Sequence, residues 1–154
     1  DYMLYTVGEM AELLGVAAST LRYYDQEGLL PFVERSQGGI RMSTERDYAP
    51  LKVIGCLKKS GLSIKEIKAF IRLAQEGDAT LEQRLEIFRR RKAAVERQIA
   101  ELQETLSLLE YKCWYYETAC RAGTEDVVRT LLCSQVPDEC RAALEKLNLN
   151  FESH

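Results

Sequence analysis

The sequence predicts a mainly α chain: a winged helix-turn-helix domain, then one long coiled-coil helix, then a short helical tail. Three observations carry this expectation. Two short amphipathic segments meet at a glycine turn near Gly15, the helix-turn-helix pattern. Two brief extended runs then surround Ser36-Gln37-Gly38-Gly39, as a hairpin requires. From Leu81 onward, apolar side chains recur every 3.5 residues, the period of a left-handed coiled coil.

Hydroxyl residues followed three positions later by an acid or amide mark helix starts at Thr6–Glu9, Thr44–Asp47, Ser63–Glu66 and Thr80–Gln83. After Thr6, Met10, Leu13 and Leu14 line a first helix ending at Gly15. A second helix is expected from Ala18 to about Glu27, stopped by Gly28, and the hairpin that follows reads as a wing. The third helix is expected from about Glu45 to Ser60, with Gly61 as its stop; Pro50 inside it lacks an N–H and should kink or delay it. The fourth, Ile64 to about Ala74, carries Ile64, Ile67, Ile71 and Ala74 on one face.

The longest element has its seam at Leu81, Leu85, Phe88, Lys92, Val95, Ile99, Leu102, Leu106, Leu109, Cys113, Tyr116 and Cys120, alternating steps of four and three. About 42 helical residues at roughly 1.5 Å each extend on the order of 63 Å, too far for one small chain to cover the stripe. A second copy is the simplest partner. Gly123 ends this helix, and two short helices are expected in the tail, near 125–134 and 137–147. The resulting division is 1–76, a linker at 77–79, the long helix 80–122, and a tail 123–154.

Composition bounds the function. Of 154 residues, 46% are hydrophobic and 29% charged, which excludes disordered and collagen-like classes. No apolar run approaches the ~18 residues of a membrane span and no signal peptide opens the chain, so a cytoplasmic protein with no membrane partner is expected. The single histidine, His154, leaves no basis for histidine triads or zinc clusters. Five scattered cysteines (56, 113, 120, 133 and 140) read as reduced thiols. Net charge is −3; the first 76 residues carry 10 basic and 10 acidic side chains, the remainder 11 and 14. Any contact with DNA must therefore use locally arranged positive charge.

Tyr5-Thr6-Val7-Gly8-Glu9-Met10-Ala11, Thr20-Leu21-Arg22-Tyr23-Tyr24-Asp25, Glu27-Gly28-Leu29-Leu30-Pro31, Gly39-Ile40-Arg41 and Leu57-Lys58-Lys59-Ser60-Gly61 closely resemble the MerR family of bacterial transcription regulators. The likeness spans residues 4–122. Tyr111 to Ala119, with Cys56, is similar to a branch associated with aldehydes and other thiol-reactive electrophiles. The chain departs from the family pattern at Ala17, where a serine N-cap is usual, at Ser43, which replaces a wing-end aromatic, at Pro50 inside the third helix, and in a tail beyond Gly123 longer than the minimal branch members need. The resemblance implies a non-enzymatic homodimer with an antiparallel dimerisation helix. It further implies binding to pseudo-palindromic promoter DNA and distortion of the duplex so that RNA polymerase can engage.

On the second helix, Leu21 and Tyr24 can share the inward face, leaving Arg22 and Tyr23 outward for phosphates. Tyr24 is kept in the same DNA-binding set. Ala18 and Ser19 begin the helix where base edges are read, and their small size shifts specificity toward DNA deformability. Arg35 and Arg41 flank the wing turn, where the resemblance implies phosphate contacts; Lys58 and Lys59 serve either phosphates or the negative end of their own helix. Leu85, Phe88, Val95, Ile99, Leu102, Leu106, Leu109, Cys113 and Tyr116 form the expected dimer interface. Cys113 and Cys120 lie ~10.5 Å apart along one helix, too far to ligate a single zinc ion, and no metal or other cofactor is expected.

Three residues are candidates for sensing. Trp114 and Tyr115 could line a pocket for an apolar or cationic ligand, or anchor the helix on a partner. Cys56 shares a helical face with Val53 and Leu57, which favours a buried thiol, but Lys52, Lys58 and Lys59 surround it in sequence and would favour its thiolate. Two rivals stand beside electrophile sensing: a regulator of the same type sensing a ligand or metal through the tail, and a coiled-coil interaction protein without DNA binding.

Overall fold

The computed structural model describes residues 3–131 and 135–152, arranged as two compact units, 1–93 and 94–154. Cys133 and His154 lie outside the described residues. The first unit opens with strand β1 (Leu4–Tyr5), helix α1 (Val7–Leu14) and helix α2 (Ala18–Gln26). At α1 the anticipated capping box forms: Thr6 Oγ1 accepts from the Glu9 amide at 3.2 Å, and Glu9 accepts from the Thr6 amide at 3.2 Å. Hydrogen bonding with the Thr6 side chain, and then with its amide, holds the Glu9 carboxyl below its ordinary range. Gly15 closes α1 at φ 70°, a left-handed conformation suited to glycine, and Val16 N–H returns to the Ala11 carbonyl. Ala17 then precedes α2 without any side-chain cap, as its methyl group dictates.

The wing is strand β2 (Glu34–Ser36) and strand β3 (Gly39–Ser43), joined by Gln37-Gly38 and paired antiparallel with Arg35 opposite Ile40. β1 adds to the other edge of β3, Leu4 opposite Ser43, giving the order β1-β3-β2. This third strand was not anticipated, because two residues are too few to show an alternating pattern. Along β3, Ile40 and Met42 point into the core while Arg41 points away.

Helix α3 runs Tyr48–Lys59, beginning three residues later than expected, and the Thr44–Asp47 capping box does not form. Pro50 accordingly sits in the first turn, where a helix has no use for its missing N–H. Asp47, fully buried, is engaged elsewhere. Its carboxylate accepts from the Ser43 amide at 2.7 Å and from Arg46 Nε and Nη2 at 3.0 and 2.9 Å. Arg46 Nη1 reaches Glu34 at 3.5 Å, so both wing strands are tied to the start of α3.

Helix α4 (Ile64–Glu76) is capped by Ser63, whose hydroxyl accepts from the Glu66 amide at 3.2 Å. A 3-10 turn (Asp78–Thr80) leads directly into α5 (Leu81–Ala122). Thr80 does not cap α5 as expected: its buried hydroxyl donates backward to the Leu73 carbonyl at 2.5 Å. Met10, Leu21, Leu29, Leu30, Met42, Ile54, Leu57 and Ile67 fill the core of this unit.

In the second unit, the tail holds α6 (Asp126–Arg129) and α7 (Asp138–Glu152). The first is a single turn that ends at Arg129, residues 132–134 of the expected helix lying outside the described residues, and the second runs past its anticipated end. Tyr111 on α5 packs with Val136, Cys140 and Ala143, flanked by Trp114, Tyr115 and Leu144. Glu104 pairs with Lys146, which holds the Glu104 carboxyl below its usual range. The order of these partners makes α7 antiparallel to α5.

Replacing Asp47 by Ala leaves the Ser43 amide and the Arg46 guanidinium without their buried acceptor. The expected cost is about 2–3 kcal/mol, read as a fall in the urea midpoint at unchanged m-value.

Candidate nucleic-acid interface

Helix α2 turns Leu21 and Tyr24 inward, leaving Arg22 and Tyr23 exposed. A concavity of about 330 Å³ lies between α2 and the wing, lined by Val7, Arg22, Asp25, Arg35, Gly39 and Ile40 among others. Arg35 on β2 reaches across to Asp25 on α2, with Nη2 to Oδ1 at 2.5 Å and Nη1 to Oδ2 at 3.4 Å. The Asp25 carboxylate raises the Arg35 pKa further above its already high value. This fork joins helix and wing as one surface. Arg41 lies on the outward side of β3, its guanidinium beside the Gly38 turn.

Several candidates occupy positions that sequence alone did not assign. Tyr24 is 7% exposed and belongs to the core, where burial raises its pKa; its side chain is not part of the outward surface. Ala18 packs partly against the same core, whereas Ser19 is exposed. Lys58 and Lys59 are exposed in the last turn of α3. Asp25, which fixes Arg35, was missed; its only signal was an acid three residues after Arg22.

Cys56 is exposed, contrary to the buried-thiol expectation. The inward stripe of α3 is Leu51, Ile54 and Leu57, and this rotation turns Cys56 out. Cys56 borders a cleft of about 560 Å³ whose walls include Leu14, Val16, Leu21, Leu51, Lys52, Lys58 and Lys59. Lys52 Nζ lies 5.5 Å from the centre of the Tyr48 ring. Cys113 and Cys120 are exposed, whereas Cys140 is buried and its thiol pKa is pushed up by that burial. Among the described residues, no three His, Cys, Asp or Glu side chains gather as a metal site.

Trp114 and Tyr115 pack beside Tyr111 against the tail, and Tyr115 donates to Glu125 at 3.2 Å. Of the expected dimer seam, Leu85, Phe88, Ile99, Leu102, Leu106, Leu109, Cys113 and Tyr116 are exposed, and Val95 is half-buried. Phe88 also meets Phe70 edge-on, with ring centres 5.5 Å apart.

A capped first helix, a tight turn and a wing locked to the uncapped second helix define a winged helix-turn-helix domain. Residues 5–73 match the MerR HTH family regulatory protein model, and residues 48–111 match the model described as MerR, DNA binding. An uncharacterized HTH-type transcriptional regulator of Haemophilus influenzae is 43% identical over 136 residues, 88% of this chain and 98% of that one. The HTH-type transcriptional regulator AdhR of Bacillus subtilis is 40% identical over 81 residues, 53% of this chain and 58% of its own length. A crystal structure of HiNmlR, a MerR family regulator lacking the sensor domain and bound to promoter DNA, is 44% identical with a TM-score of 0.69. The match covers 81% of this chain and 99% of that one. The chain belongs to the MerR family of helix-turn-helix transcription regulators.

Proposed function

We propose that this regulator binds double-stranded promoter DNA as a homodimer and distorts it, with residues 1–76 as the reading domain and 80–122 as an antiparallel dimerisation helix. The observation that carries the DNA reading is the Arg35–Asp25 fork, which presents α2 and the wing together with Arg22 and Arg41 on their outward sides. HiNmlR, similar in fold, is bound to promoter DNA. Arg22, Tyr23 and Arg41 contact phosphates, Ser19 and Ala18 face base edges, and Lys58 and Lys59 add charge at the margin. With such small readers, deformability of the duplex supplies much of the specificity. RNA polymerase engages the distorted promoter in the cytoplasm, and the protein performs no catalysis. No described helix is long and apolar enough to cross a membrane.

Arg22→Ala and Arg41→Ala should each weaken binding to all sequences and reduce the salt slope by about one unit. A change in sequence preference at constant slope would assign these arginines to bases instead. A wild-type chain showing no salt-dependent binding would favour the coiled-coil interaction protein.

The dimer reading rests on the exposed 3.5-residue seam, with Lys92 in its middle as a register-setting polar position. Leu102→Asp places a carboxylate in that seam and should convert a micromolar dimer into monomer by light scattering.

The regulatory reading rests on the exposure of Cys56 beside the lysine-bordered cleft. Its thiolate adds to the carbonyl carbon of an aldehyde; a C–S bond forms, the carbonyl electron pair moves to oxygen, and oxygen takes a proton from water. The adduct adds bulk on α3, next to the recognition unit. Trp114 and Tyr115, engaged by the tail, are less suited to a ligand pocket. Cys56→Ala should retain DNA binding and lose electrophile-dependent transcription, whereas Cys113→Ala and Cys120→Ala should respond normally. Mass spectrometry under limiting reagent should find Cys56 modified before Cys140; the reverse order moves the sensor to the tail.

A further inference from the structure

Two arginines on α5 terminate two preceding helices. Arg84 Nη2 donates to the carbonyl of Gly77, the C-cap of α4, at 3.0 Å, and its Nε donates to Thr80 Oγ1 at 3.1 Å. Arg91 Nη2 donates to the carbonyl of Ser60, the C-cap of α3. Ser60 keeps a helical conformation and its carbonyl carries the negative end of α3, so the Arg91 guanidinium there gains both a hydrogen bond and a favourable dipole. The Gly77 carbonyl also accepts from the Thr80 amide at 3.1 Å and the Thr80 hydroxyl at 2.9 Å, so Arg84 joins the turn that leads into α5. Arg84 and Arg91 are seven residues apart, on one face of α5, with Ile87 between them packed against the core. All of these contacts lie within the first compact unit.

Space for the second contact is reserved by a glycine. Gly61 adopts φ +100°, and a Cβ there would stand 2.9 Å from Arg91 Nη2. Arg91 Nε is itself buried with no hydrogen-bond partner among the described residues. A buried nitrogen left without an acceptor is costly, so the side chain is held at this place by its terminal contact and its packing rather than by complete polar satisfaction.

We propose that Arg84 and Arg91 are positioning residues that seat the dimerisation helix on the DNA-reading domain and thereby set the separation at which the dimer accepts two half-sites. The proposal rests on the dimeric DNA-binding reading given above. Ser60 and Gly77 end α3 and α4, whose inward residues share one core with Leu21 and Tyr24 of α2, while α5 carries the seam. The seating of α5 on each domain therefore decides how the two recognition helices are spaced. Over a lever of about 30 Å, the length of a 20-residue helix, a 5° change of seating moves the far end by roughly 2.6 Å. That approaches the ~3.4 Å rise of one base pair.

The test uses the full chain and a promoter fragment whose two half-sites have been mapped by footprinting with the wild type. The half-site separation is then lengthened and shortened by one and two base pairs, alongside a fragment carrying a single half-site. Wild type should show a sharp optimum. Arg84→Met and Arg91→Met keep the aliphatic stem and remove the donors; each should reduce discrimination against a one-base-pair change by about fivefold or more. Single half-site affinity, salt slope and dimer mass should stay at wild-type values, and Arg91→Lys, which retains one charged donor, should recover part of the discrimination. An unchanged spacing profile in both methionine variants overturns this proposal alone. So does a loss of single half-site affinity that tracks a fall in melting temperature, because the arginines would then only stabilise the fold. A wild-type chain that binds no fragment overturns the DNA reading, and this proposal with it.

Discussion

The carboxylate of Asp47 is removed from water, and a buried anion is tolerated only when its lone pairs are filled. Here they are filled by the Ser43 amide and by two nitrogens of Arg46. The consequence spreads along the chain. Ser43 closes the wing strand β3, which pairs with β1 on one edge and β2 on the other. Arg46 reaches onward to Glu34 in β2. A single buried charge thus fixes where the sheet ends, where α3 begins and how the wing hangs from it. Arg35, held in that wing, then forks onto Asp25 and brings α2 into the same surface.

Much of the fold was legible in local chemistry, and the exceptions have identifiable causes. Thr6 closes the full reciprocal box its spacing suggested, whereas the Ser63 hydroxyl accepts from the Glu66 amide and donates to the Glu66 carboxylate. The same spacing misled at Thr44, where Asp47 is claimed by a strand amide and an arginine, and at Thr80, whose hydroxyl turns back to Leu73. For Cys56, Val53 and Leu57 argued for burial and the neighbouring lysines for a reactive thiol; the core selects Leu51, Ile54 and Leu57, and a cysteine one position before Leu57 then faces outward.

The candidate surface was partly readable for the same reason. Arg22 and Tyr23 could be assigned outward from Leu21 and Tyr24 alone, since all four lie on one helix. Partners far away in sequence could not be read. Arg84 and Arg91 look like solvated charges within an arginine-rich stretch, until the fold brings them to Gly77 and Ser60. Asp25 is similarly unremarkable until Arg35 arrives from the wing.

Helix α5 carries two stripes in its second half. One runs through Leu102, Leu106, Leu109 and Tyr116 and is exposed; the other, Tyr111 with Trp114 and Tyr115 beside it, packs against Val136, Cys140 and Ala143 of the tail. Both follow the 3.5-residue period, but only one stays open. The tail therefore behaves as a built-in cover over a second adhesive seam. By masking that edge, it leaves the stripe through Leu102, Leu106 and Leu109 as the open apolar face. Changes in the tail sequence can accumulate as long as they keep Tyr111 covered.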